Sequence, residues 1–485
     1  MDRRWTVSTA TVLVVGLVPG VAAAETATAR TGSPGAPGIG DTYYPLDGNG
    51  GYQVEHYDLD VRYDPATDAL SATAAIRAVA TQDLSSFNLD FVGLDISELT
   101  VDGAAATFER DAGELTVTPA QWLPVDSEFT VTVTYEGVPE TIETALGTIA
   151  GFIHTDDGAL VVGQPDVAAT WFPANDHPLD AATFDVALTV PEGLEALSNG
   201  ELVSTETADG LSTWRWAAAE PMAPYLAVVA IGEFDVRAYE EAGLRYWDAF
   251  DPDLFTTPSN PEDPASPTLG EIAEASLARQ PEVLDWLAGL GGPYPFVTAG
   301  GIVDDSTDLR FALETQTRPI YSPFFFTDQV FGDLVVVHEL AHQWFGDDLR
   351  LGAWQDIWLN EGFATYAEWL WLEKEGLATA QQVFDDSYAT VPADDPFWTV
   401  LPGDPGPDAL FDGAVYNRGA MTLHALRQVI GDETFFAVVR AWAESQAGDT
   451  VSTDEFVALA EELSGRQLDD LFDAWLYTQE KPALG

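Results

Sequence analysis

The chain has 485 residues and is 46% hydrophobic, which gives room for two or three domains with sizeable cores and argues against wholesale disorder. Acidic residues number 80 against 19 basic, a formal net charge of −61, and such a surface repels nucleic acid and anionic membranes. With no cysteine there is neither a disulfide framework nor a lipid-modified cysteine.

The first feature along the chain is an export signal. Arg3 and Arg4 precede a short apolar run at 12–18, and Ala22, Ala23 and Ala24 offer a small-residue cleavage site. Residues 1–24 therefore read as a signal peptide, and the mature protein is expected to be secreted. The apolar run is too short to span a bilayer, and no later stretch predicts a membrane span. Residues 25–45, rich in Thr, Gly, Pro and Ala, read as a flexible leader. The acids are spread along the whole chain, and this predicts adaptation to high salt, where screening removes self-repulsion.

Residues 46–237 predict an all-β domain of sandwich type. "YQVEHYDLDVRYD", "ELTVTP", "EFTVTVTYEG", "TFDVALTV" and "STWRWAA" alternate apolar and polar positions, and turn residues separate them. The pattern changes near Ala238. "LGEIAEASLARQPEVLDWLAGLGG" has helical spacing, a short strand region follows around 297–313, and helices are expected at 333–345, 360–375, 415–430, 434–444, 453–463 and 468–477. The fold class is thus α+β, with a mainly helical second domain over 238–485.

Chemistry concentrates in His338-Glu339-Leu340-Ala341-His342. Histidines at i and i+4 share one helical face and can reach one metal together. Glu339 projects beside them and can act on a water as general base. Nineteen positions after His342, Glu361 opens a second helix and supplies a third ligand, the set expected of a catalytic zinc with one open position. Asp356 is a candidate partner for the outer nitrogen of a ligand histidine. His56, His154, His177 and His424 are scattered and read as structural or surface residues.

"HELAHQWFGDDL" followed by "WLNEGFATYAEW" resembles the gluzincin aminopeptidases of peptidase family M1, and the likeness covers most of the mature chain. It implies one zinc ion per chain, an N-terminal β domain and a thermolysin-like catalytic domain. The family's Gly-Ala-Met-Glu-Asn stretch, whose Glu binds the substrate's free α-amine, corresponds to Phe311-Ala312-Leu313-Glu314-Thr315, so Glu314 becomes the amine anchor while Phe311 alters the edge strand. Gln164 in "GQPDVAATWFPANDHP" falls at the second amine contact, and Ala169 replaces a frequent arginine. Tyr416 in "VYNRGAMTLHAL" matches the oxyanion tyrosine; Asn417 and Arg418 stand for the family's Glu and Lys. "LDDLFDAWLYTQEKPALG" resembles the end of the catalytic domain, beyond which longer members continue into a helical domain, so a short form with a more open site is expected.

The expected activity is hydrolysis of the N-terminal peptide bond of peptides with a free N-terminus. An endopeptidase with an open cleft and a non-catalytic peptide-binding protein on the same fold are the alternatives. Glu314 opposes the first, and the intact set of Glu339, Tyr416 and three ligands opposes the second.

Overall fold

The computed structural model of the protein describes residues 31–111, 113–143 and 149–484. The expected signal peptide of residues 1–24 lies outside the described residues. Alternation makes the first half a β structure. Tyr52–Asp64 buries nearly every second side chain, so one face enters the core and the other meets water. It pairs antiparallel with Ala69–Ala80 and parallel with Ala182–Pro191 inside an eight-stranded sheet, which Glu128–Gly137 and Leu211–Met222 extend. A five-stranded sheet includes Ile149–His154, Ala159–Val162 and Val229–Gly232. The two sheets share one core, Leu59, Val61 and Leu188 from the first packing in the same cluster as Phe152, Val161 and Ile231 from the second.

A further five-stranded sheet opens the second half. Its strands run in the order Asp235–Glu241, Leu244–Phe250, Thr298–Val303, Ile320–Tyr321 and Ala312–Leu313, which leaves the last as an edge. It starts slightly before the expected boundary at 238. The helices are α1 (Leu269–Leu277), α2 (Gln280–Gly291), α3 (Gln329–His342), α4 (Trp358–Glu375), α5 (Ala380–Thr390), α6 (Gly413–Ile430), α7 (Asp432–Ser445), α8 (Thr453–Ser464) and α9 (Asp469–Leu476).

The helical stretch at 269–292 is two helices. Pro281 lacks an amide hydrogen and sits in the first turn of α2, where none is needed, so the chain restarts there. Sequence periodicity missed α5, which Thr379 and Gln382 initiate as a reciprocal cap.

The described part of the expected flexible leader is tied to the body instead. Asp41 is buried, and its Oδ2 accepts from the Trp354 amide at 2.9 Å and lies 3.2 Å from His177 Nε2. The Tyr44 hydroxyl donates to the Pro407 carbonyl at 3.1 Å, and Tyr43 bonds Asp404 and the Gly406 amide. A composition rich in Gly and Pro does not mark such a strap, because a few buried polar contacts are enough to hold it.

Candidate metal centre

Asp328 starts α3 by accepting from the amides of Val330 and Phe331 at 2.9 and 3.3 Å. From there the helix runs into the core, with Val336, Val337, Leu340 and Ala341 buried around the motif. His338, Glu339 and His342 are 8%, 5% and 1% exposed, so each needs a specific partner. The third element is α4, with Glu361 in its first turn. Gly362 and Gly419 meet where α4 crosses α6: a Cβ on Gly362 would stand 3.0 Å from the Gly419 carbonyl carbon. A side chain there would push the two helices apart by a few tenths of an ångström, and the close crossing brings Glu361 and Tyr416 to one cavity.

The three expected ligands converge. Nε2 of His338 and of His342 lie 3.3 and 3.4 Å from Glu361 Oε2, and all three ligand atoms fall within 4.8 Å of one another. The outer nitrogens are engaged: His338 Nδ1 lies 2.7 Å from Glu368 Oε1, and His342 Nδ1 lies 3.0 Å from the Phe345 carbonyl. Acceptors at both Nδ1 atoms direct the Nε2 lone pairs inward, the arrangement that zinc requires. Burial opposes the charge on Glu361, but His342 and His338 more than offset it and hold the carboxyl at about 2. Burial likewise disfavours charge on His342, and Glu361 and Glu314 reverse that and lift it to about 9. Two nitrogens and one carboxylate in a buried, electronegative pocket fit a zinc ion.

The remaining expected residues line the same cavity of about 250 Å³: Glu339, Glu314, Gln164 and Tyr416. Glu314 follows the edge strand Ala312–Leu313, and its Oε1 accepts from the Tyr225 hydroxyl at 3.1 Å. Gln164 presents a buried Oε1 with no hydrogen-bond partner among the described residues. The Tyr416 ring stacks 6.0 Å from that of His338. Burial and the neighbouring carboxylates Glu361 and Glu314 push its phenol well above the ordinary value, so it stays protonated. Burial raises Glu339 to about 8, with the two histidines pulling the other way.

The pattern of the peptidase family M1 domain matches residues 328–475, and that of the peptidase M1 N-terminal domain matches residues 53–226. Together the two take in about two thirds of the chain, in the family's order. The chain belongs to peptidase family M1. It is similar to aminopeptidase M1-B of Oryza sativa subsp. japonica, 26% identical over 475 residues that cover 88% of this chain and 50% of that protein. Human glutamyl aminopeptidase is 27% identical over 370 residues, 72% of this chain and 36% of that protein. The chain thus spans about half the length or less of these relatives. Among solved structures, an M1 zinc metallopeptidase mutant from Deinococcus radiodurans bound to a Tyr-Ser-Ala substrate superposes with a TM-score of 0.79 at 28% identity, covering 92% of this chain and 98% of that chain.

Within this member of family M1 one sequence expectation needs correction. Asp356 does not hold a ligand histidine. Its Oδ1 accepts from the Thr453 hydroxyl and amide at 2.6 and 3.3 Å and so ties α4's entry to α8. Glu368 meets the outer nitrogen of His338 instead, and its place in "YAEW", two turns past Glu361 on the same helix, was a signal that sequence reasoning missed. Arg418, which stands for the family's Lys, points away from the cavity. It is fully buried and donates to the carbonyls of Trp398 and Val400 at 3.0 Å, and to those of Ala474 and Thr478. Tyr225 was also missed, because its contact with Glu314 joins residues 89 positions apart. Of the other histidines, His177 binds the strap through Asp41, and His424 is buried beside the Tyr366 hydroxyl.

Proposed function

We propose that this chain is a zinc-dependent aminopeptidase that binds one zinc ion between His338, His342 and Glu361 and removes the N-terminal residue of peptides with a free α-amine. Glu314 carries the reading. Its carboxylate is 2% exposed and opens on the ligands' cavity, and among the described residues it forms no ion pair. A buried carboxylate of that kind is matched by a cation, and a peptide's α-ammonium supplies one. The unpartnered Oε1 of Gln164 is a second acceptor in the same cavity.

Zinc, when bound, supplies a Lewis acid that polarises the scissile carbonyl and lowers the pKa of a bound water toward about 7. Glu339 takes the proton of the attacking water and passes it to the leaving amine. Tyr416 donates a hydrogen bond to the developing oxyanion while remaining neutral. Glu314 and Gln164 hold the amine, which places the first peptide bond at these groups. The test compares a free peptide with its N-acetylated form: the free peptide is shortened from its N-terminus and the acetylated one is spared. Comparable cleavage of both overturns the reading in favour of an endopeptidase, and binding without cleavage by the zinc-loaded protein favours a non-catalytic role.

Export through the signal at 1–24, and function at high salt, complete the proposal. The terminal pattern and the net charge of −61 support them. No helix among the described residues is long and apolar enough to cross a membrane.

A further inference from the structure

A second cavity, of about 450 Å³, adjoins the first. Gln164, Phe311, Ala312 and Tyr416 border both. A peptide with its amine at Glu314 and Gln164 and its first carbonyl beneath Tyr416 carries its first Cα between these groups. The second cavity, which shares Gln164, Phe311, Ala312 and Tyr416 with the first, opens beside that carbon.

The walls of this space are apolar or aromatic, with Tyr44, Val167, Leu410 and Phe411 contributing. Its charged groups are all acidic: Glu143, Asp166 and Asp408 line it, and among the described residues no Lys, Arg or His does. Resting on the aminopeptidase reading, we propose that this cavity receives the side chain of the N-terminal residue and selects long cation-ended side chains, arginine and lysine, over acidic ones, with Asp166 and Asp408 as specificity-determining residues.

A long basic side chain fits both halves of this lining. Its aliphatic stem buries against the apolar wall while its head reaches the acids. An arginine head can also lie over the rings of Tyr44 or Phe411. An acidic side chain would instead meet like charges. Asp166 stands at the exposed rim of the cavity, where a cationic head beside it favours its ionised form. Burial and the charges of Asp166, Asp47, Asp41 and Asp408 raise the Tyr44 phenol as well, which places both aspartates within electrostatic reach of that wall.

Tyr44 belongs to the strap that precedes residue 53, where the family match begins. Its bond to the Pro407 carbonyl, and that of Tyr43 to the Gly406 amide, hold the loop carrying Asp408. The pocket is thus partly built by a segment outside the family pattern.

Fluorogenic aminoacyl amides of Arg, Lys, Leu, Phe and Glu, assayed on the zinc-loaded protein at one fixed salt concentration, test the proposal. The expected kcat/KM for Arg exceeds that for Glu by at least about tenfold, the scale of a charge-assisted contact. The double variant Asp166→Asn with Asp408→Asn should lower the Arg-to-Leu ratio of kcat/KM by roughly tenfold on the same grounds. That ratio is internal to each protein and does not depend on the folded fraction. Equal cleavage of Glu and Arg substrates by the wild type, or a ratio unchanged in the double variant, overturns the selectivity while leaving the aminopeptidase reading in place. Failure to cleave any of the five overturns both.

Discussion

The Nδ1 nitrogen of His338 stands 2.7 Å from Oε1 of Glu368, a residue two turns along α4 from Glu361. One helix therefore carries both a candidate ligand and the carboxylate that meets a candidate ligand on another helix. Glu368→Gln should weaken zinc binding by about ten- to one-hundred-fold, the usual cost of losing such a partner. Asp356→Asn should leave zinc affinity as it was, since Asp356 faces Thr453. Competition with a metal chelator measures both, and an unaltered affinity in the Glu368 variant removes it from this role.

Glu339→Gln keeps the shape of the side chain and removes the base. Zinc content per chain should match the wild type while kcat falls by roughly one-hundred-fold or more. Metal analysis alongside steady-state kinetics decides it, and turnover near the wild-type rate would falsify the base assignment.

Tyr416→Phe removes one hydrogen-bond donor from the reacting centre. A fall in kcat of about one-hundred-fold is expected. Because the contact strengthens in the transition state, kcat and kcat/KM should fall together. A change confined to KM would show that the tyrosine only positions substrate.

Asp41 links the strap to both domains. Burial alone would raise its carboxyl; His177 and the amides of Trp354, Tyr44 and Tyr43 outweigh that and hold it at about 2. The folded value lies below the unfolded one, so the stabilisation is present above about pH 4 and is lost as pH falls toward 2. Asp41→Asn should cost about 2 kcal/mol at pH 7. Denaturant titrations from pH 7 down to pH 3 should show the gap to wild type narrowing; a constant gap would mean that the charge does not stabilise the strap.

Salt should stabilise the protein. Like charges on one folded surface repel, over about 30 Å at 0.01 M salt but only about 3 Å at 1 M. The melting temperature should rise with sodium chloride, most steeply at low concentration. A flat or falling curve means that local pairs already compensate the acids.

The order of the two domains, the β character of the first and the helices around the zinc motif were legible in the sequence, because alternation and helical periodicity are properties of chain neighbours. The i, i+4 histidines were legible as a short spacing on one helix, and Glu361 by its place nineteen positions on, at the start of the next. What tertiary structure decided lies between residues distant in sequence. It chose Glu368 rather than Asp356 to hold His338, packed Gly362 on Gly419 so that Glu361 and Tyr416 share a cavity, set Tyr225 on Glu314, and made residues 32–45 a strap whose Tyr44 walls the second cavity. Side-chain direction across a helix crossing and the burial of isolated polar groups settle such contacts. Both depend on how elements pack, and no local pattern of residue types encodes them.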